Sequence, residues 1–110
     1  MFVLFLVLLA ACDGGQSQQQ ALAVAQSLTP TDPVVAEIYQ RSCRNCHSVI
    51  ATGAPLTGDK DKWNDLIDQF GKAGLVEHVI NGKGGMPPFG LCMECGIDDF
   101  SKLIDFMAQK

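Results

Sequence analysis

Cys43, Cys46 and His47 form the order C-x-x-C-H within Cys43-Arg44-Asn45-Cys46-His47. Two thiols at this spacing can add to the two vinyl groups of one porphyrin, and the residue that follows is then held under the iron as an axial ligand. A bare C-x-x-C also occurs in dithiol redox sites and as half of a zinc site. The dithiol reading belongs with a βαβ pattern that this sequence lacks, and neither alternative calls for the histidine. The motif therefore predicts one covalently bound haem c, its iron held by His47.

The chemistry of such a group turns on the sixth iron position. A thioether there closes the iron and raises its potential, which suits electron transfer, whereas an open position admits gases or peroxide. The chain offers four methionines. Met1 lies in the leader, Met107 on an apolar helical stripe, and Met93 between Cys92 and Cys95. Met86 stands in Gly84-Gly85-Met86-Pro87-Pro88. Glycines let that backbone approach the haem edge and prolines stiffen the loop presenting the sulfur, so Met86 is the predicted partner of His47. His78 is out of step with Leu75, Val76, Val79 and Ile80 and reads as a rim histidine.

The elements that must position these ligands read as helices. Asp32 and Pro33 are a cap and a first-turn proline, followed by Val34, Val35, Ile38 and Tyr39 on one face and a Glu37/Arg41 pair four apart. This helix runs directly into the thiol motif. Residues 49–59, with Gly53, Pro55 and Gly58, form a loop. Trp63, Leu66, Ile67 and Phe70 recur at helical spacing, and Trp63 is expected against the cofactor. Gly71 to Gly74 breaks that helix. Leu75 to Ile80 forms another, closed by Asn81-Gly82, and a glycine- and proline-rich loop runs to Cys95. The last helix, from Ile97 or Asp98 to Gln109, turns Ile97, Phe100, Leu103, Ile104 and Met107 inward. The alternation of a sheet is absent, so the class is all-α, about four short helices around one haem, in a domain spanning 33–110. A core of that size is marginal alone, and the haem supplies apolar surface to pack on.

Phe2 to Ala11 is an unbroken apolar run, too short to span a bilayer, and reads as the hydrophobic part of a signal peptide over 1–11. Leu9-Ala10-Ala11-Cys12 resembles a bacterial lipoprotein box, which implies lipidation of Cys12 and a periplasmic protein anchored to the membrane, the inner one favoured by Asp13. The box departs from its usual setting in having no basic residue before the apolar run. Residues 12–32 are rich in Gln, Ala and Ser and read as a flexible tether, with a weak helix over Gln18–Leu28 allowed by its composition. Export permits disulfides. With Cys12, Cys43 and Cys46 assigned, two of the five cysteines remain. Cys92 and Cys95 are followed by Gly96 instead of histidine, so they read as a disulfide, with a reactive dithiol as the alternative. The formal net charge is −4 with no basic stripe, which argues against nucleic acid as a partner.

Taken together these marks resemble the cytochrome c5 family of class I cytochromes c over residues 34–110. The resemblance rests on Cys43-Arg44-Asn45-Cys46-His47, Gly53-Ala54-Pro55, Thr57-Gly58-Asp59, Ile80-Asn81-Gly82, Gly85-Met86-Pro87-Pro88 and Cys92-Met93-Glu94-Cys95. It implies a fold whose first and last helices cross, a Pro55 carbonyl that orients the His47 ring, and a second cysteine pair closed as a disulfide. The expected role is a monohaem carrier passing single electrons between respiratory proteins, with no substrate of its own. The alternatives are a haem sensor with a displaceable methionine, and a fixed electron-transfer subunit of a larger oxidoreductase.

Overall fold

The computed structural model describes residues 13–110, and side chains from residue 17 onward. Cys12 and the apolar leader lie outside the described residues. Among those described, secondary structure is helical apart from a single backbone bridge between Lys83 and Met86. No described helix is long and apolar enough to cross a membrane.

Helix α1 covers Asp13–Ser27. Helix α2, Pro33–Ile38, starts where the Asp32 carboxylate accepts hydrogen bonds from the amides of Val34 and Val35 at 2.8 and 3.2 Å, with Pro33 in the first turn. Such a cap satisfies amides that have no partner within the helix. The backbone then stays helical but widens into a π-turn over Tyr39–Cys43 before resuming as α3, Arg44–His47. The Arg44 amide reaches back to the Tyr39 carbonyl, and the Asn45 side chain donates to the Arg41 carbonyl at 3.2 Å. A π-turn inserts one residue into the helical register. The thiol motif and the apolar face of α2 therefore follow different phases of one continuous helix.

Helix α4, Lys60–Asn81, carries the predicted break: Gly71 sits at φ 70°, ψ 163°, dividing it into two segments. Trp63 is buried in the first segment, and Leu75, Val76 and Val79 in the second. Gly82 ends the helix at φ 77°, and a Cβ there would lie 2.9 Å from the Met86 carbonyl oxygen. Only glycine allows the following loop to fold back this tightly. Helix α5, Ile97–Ala108, begins with the Gly96 amide donating to the Asp99 carboxylate at 2.9 Å. It buries Phe100, Leu103, Ile104, Met107 and Ala108. Tyr39 meets Phe106 edge-on at 4.8 Å, joining the start of the domain to its end, and Lys72 pairs with Asp105 at 2.5 Å between α4 and α5.

Two expected inward residues are exposed. Val34 and Ile97 open their helices, and a first-turn side chain points back beyond the helix end, past the core its face addresses further along.

The weak helix allowed over Gln18–Leu28 is present within α1 as far as Ser27, and the larger departure is that this segment is docked instead of forming a flexible tether. Residues 13–27 form α1, and its C-terminal half is docked on the domain. Ala25 is fully buried, and Leu28 Cδ1 and Val24 Cγ1 lie 2.7 and 2.9 Å from where a Cβ on Gly58 would stand. Arg44, inside the thiol motif, donates to the Gln26 carbonyl at 3.3 Å. Contacts of this kind stabilise a helix that composition alone favours only weakly. Gly58→Val should crowd both side chains and strain a backbone at φ 85°. The expected cost is about 1–3 kcal/mol, with α1 amides losing protection from hydrogen exchange while α5 amides keep theirs.

Candidate functional site

The helical turn ending at His47 places Cys43, Cys46 and His47 on the wall of one cleft of about 330 Å³. The opposite wall is the loop after Gly82, which brings Met86, Phe89 and Gly90. Trp63, Leu66, Leu75 and Val79 of α4 and Phe100, Leu103, Ile104 and Met107 of α5 line the interior. The lining is mostly apolar, as a cofactor site generally is. A shallower depression of about 430 Å³, between Pro30–Asp32 and the end of α5, holds none of the candidate ligands.

His47 is only 6% exposed and its Nδ1 lies 2.7 Å from the Pro55 carbonyl oxygen. A carbonyl can only accept, so Nδ1 carries the proton and Nε2 presents its lone pair. Burial pushes the imidazole below its usual pKa range, and the Pro55 hydrogen bond offsets part of that shift. Burial leaves the ring neutral and the Pro55 contact orients it, the form that binds iron. The Pro55 carbonyl is itself fixed by its neighbours. The Trp63 indole donates to Leu56 O at 2.9 Å, Thr57 N to His47 O at 2.9 Å, and Gly58 N to Met107 O at 2.7 Å. Trp63 also sits beside the ligand, its ring centroid 5.9 Å from that of His47.

Cys43 and Cys46 are free thiols, the first half-buried and the second exposed. Burial pushes the Cys43 thiol up to about 11, so it stays protonated at neutral pH. Cys92 and Cys95 are joined as a disulfide. Met86 is half-buried with its methyl 3.5 Å from where a Cβ on Gly90 would stand. Its backbone pairs with Lys83 in both directions, at 3.1 and 2.9 Å, closing the Gly84-Gly85 turn. Met93 is 70% exposed and does not line the cleft, whereas Met107 is buried in its lining. The thiols, the histidine and the Met86 sulfur thus converge on a mostly apolar slot with the donor set that a c-type haem requires, an imidazole and a thioether.

His78, read from sequence as a rim residue, reaches the cleft lining half-buried. It stacks edge-on against Phe70 at 4.6 Å, and the Lys83 ammonium lies 4.1 Å over the same ring. Lys83 is the one other basic side chain in the lining. Neither placement has a local signal: that of His78 against Phe70 follows from the break at Gly71, and that of Lys83 from the turn at Gly82.

The sequence profile described as cytochrome C oxidase, cbb3-type, subunit III matches residues 32–107, more than half of the chain. The chain belongs to this family. Among solved structures, it is similar to a chain from the crystal structure of an electron transfer complex of nitrite reductase with cytochrome c. The two are 30% identical with a TM-score of 0.62, and the match covers 73% of this chain and 96% of that one. A search of curated proteins finds no match. The fold is therefore that of a class I cytochrome c, and membership of a cytochrome c family implies covalently bound haem c, which the cleft fits.

Tyr39 ties the two halves of this ligand wall together. Its hydroxyl, fully buried, donates to Thr57 Oγ1 at 2.9 Å. Burial raises its pKa above the ordinary 10.0, and the Thr57 hydrogen bond pulls it part of the way back. Tyr39→Phe should cost about 1–2 kcal/mol, because Thr57 loses its partner. The raised pKa means the neutral phenol favours the fold fully below pH 10, and this contribution fades as pH rises through the folded-state value. Wild type should therefore lose stability above pH 10 faster than Tyr39→Phe, and thermal melts at neutral and alkaline pH would show the gap narrowing.

Proposed function

We propose that this protein is a membrane-tethered, periplasmic monohaem cytochrome c of the c5 type that passes single electrons between respiratory redox proteins and catalyses no bond chemistry. The observation carrying this reading is that His47, with its ring locked by Pro55, and Met86 line the same mostly apolar cleft, with both free thiols on its wall. Haem c bound there supplies a one-electron couple. Cys43 and Cys46 would hold it covalently, with His47 Nε2 and the Met86 thioether as the protein ligands to its iron. The mostly apolar lining would keep water away from it, so that little solvent has to reorganise when its charge changes. The second cysteine pair, closed as a disulfide, supports the c5 assignment.

A second reading, a fixed electron-transfer subunit of a larger oxidoreductase, is favoured by the family's own description as an oxidase subunit. The cytochrome-containing complex of the structural neighbour favours a carrier that docks with an enzyme. Purification from detergent-solubilised membranes separates these, since a subunit stays with its enzyme and a carrier does not. The anchor is proposed at Cys12. Cys12→Ser should release the protein or leave it unprocessed, and a mature N-terminus elsewhere, without acyl mass, would refute the anchor.

The ligand assignment has its own test. The oxidised protein should show the weak far-red band of an iron–thioether bond. Met86→Ala should abolish it, lower the midpoint potential and admit carbon monoxide to the reduced protein, while Met93→Ala and Met107→Ala keep the band. A wild-type protein that binds carbon monoxide readily at neutral pH would point to a sensor instead.

A further inference from the structure

The loop from Lys83 to Cys95 is held to the rest of the domain by few polar contacts. Its backbone hydrogen bonds outside helices are internal: Lys83 with Met86, Gly90 with Pro87, Cys92 with Phe89, Cys95 with Cys92. Between Met86 and the disulfide, Phe89, Gly90 and Leu91 follow one another at φ 61°, 55° and 67°. Two of these three are L-residues with side chains, in a region such residues avoid. This is a conformation that surrounding contacts must impose.

Arg41 supplies such contacts. Among the described residues it makes the only side-chain hydrogen bonds joining this loop to another segment. Its Nη2 reaches the Glu94 carboxylate and lies 3.6 Å from Cys92 Sγ, while its Nε holds Glu37 at 2.9 Å. Hydrogen bonds from its own backbone and from Arg41 hold the Glu94 carboxyl below its usual pKa range. Arg41 lies within the π-turn, two residues before Cys43. The segment that carries the thiols and His47 is thereby linked to the loop that carries Met86.

We propose that Arg41 is a positioning residue for the Met86 loop, its guanidinium holding the Glu94–Cys92 end closed over the cleft and so keeping the thioether in place against competing iron ligands. The proposal rests on Met86 being the sixth ligand. The side chains of Arg41 and Glu94 are 38% and 64% exposed, so the clamp is weak in stability terms. Its effect lies in the balance between a closed and an open loop, which a sixth-ligand competitor reads directly.

Cyanide binding to the oxidised holoprotein reads that balance, because cyanide must displace the sixth ligand. Arg41→Gln should raise cyanide affinity about fivefold, with a weakened far-red band. Arg41→Lys should fall between wild type and Gln, since an ammonium lacks the guanidinium fork. Glu94→Gln, a change at an exposed site, should also raise affinity and keeps the test open if Arg41→Gln folds poorly. Lys72→Gln breaks the exposed pair with Asp105 away from this loop and should leave cyanide affinity unchanged. Wild-type affinity in both Arg41→Gln and Glu94→Gln would overturn the clamp. Met86→Ala is the separate control: if it binds cyanide no better than wild type, the ligand assignment fails, whatever Arg41 does.

Discussion

The hydrogen bond from His47 Nδ1 to the Pro55 carbonyl is the constraint around which the domain is arranged. An imidazole free to rotate could not present one nitrogen at a fixed angle to an iron, and a carbonyl on a mobile loop could not hold it. The loop from Ser48 to Asp59 is therefore tied on several sides. Trp63 and Gly58 bind it to α4 and α5, Tyr39 fixes Thr57, and α1 packs on Gly58 from outside. The hydrogen bonds among these ties satisfy polar groups that would otherwise be costly to bury, and with the apolar contact of α1 they make one local structure out of elements far apart in sequence.

Much of this was legible in the residues. The spacing of Cys43, Cys46 and His47, and the glycines and prolines beside Met86, single out residues that the structure brings to one cleft. Asp32 with Pro33, the break at Gly71 and the stop at Gly82 follow from local backbone preferences, which act over a few residues and so can be read there. The features that escaped depend on longer range. The π-turn at Tyr39–Cys43 adds one residue to a helix without changing its composition. The docking of α1 depends on Gly58, some thirty residues away, and the reach of Arg41 to Glu94 on the fold of the Gly82 turn. The pairing of Arg41 with Glu37 was visible as a four-residue spacing, but its second partner was not.

The two walls of the cleft differ in how they are held. The histidine wall is buried, hydrogen-bonded on several sides and continuous with the helical core. The methionine wall is a loop with left-handed backbone, a disulfide at its far end and an exposed ion pair as its polar link. This asymmetry suits the proposed carrier, in which His47 would stay bound while the hold of Met86 would depend on the loop. The same cleft with a looser loop would leave the iron open to a small ligand.

The proposed electron transfer requires one iron held between His47 and Met86 in both oxidation states. X-ray absorption at the iron edge of the purified holoprotein measures this directly. It should show six-coordinate iron with one sulfur and otherwise nitrogen neighbours, oxidised and reduced alike, in wild type, and no sulfur in Met86→Ala. Iron that is five-coordinate, or that has two nitrogen axial ligands and no sulfur in the wild type, would contradict it.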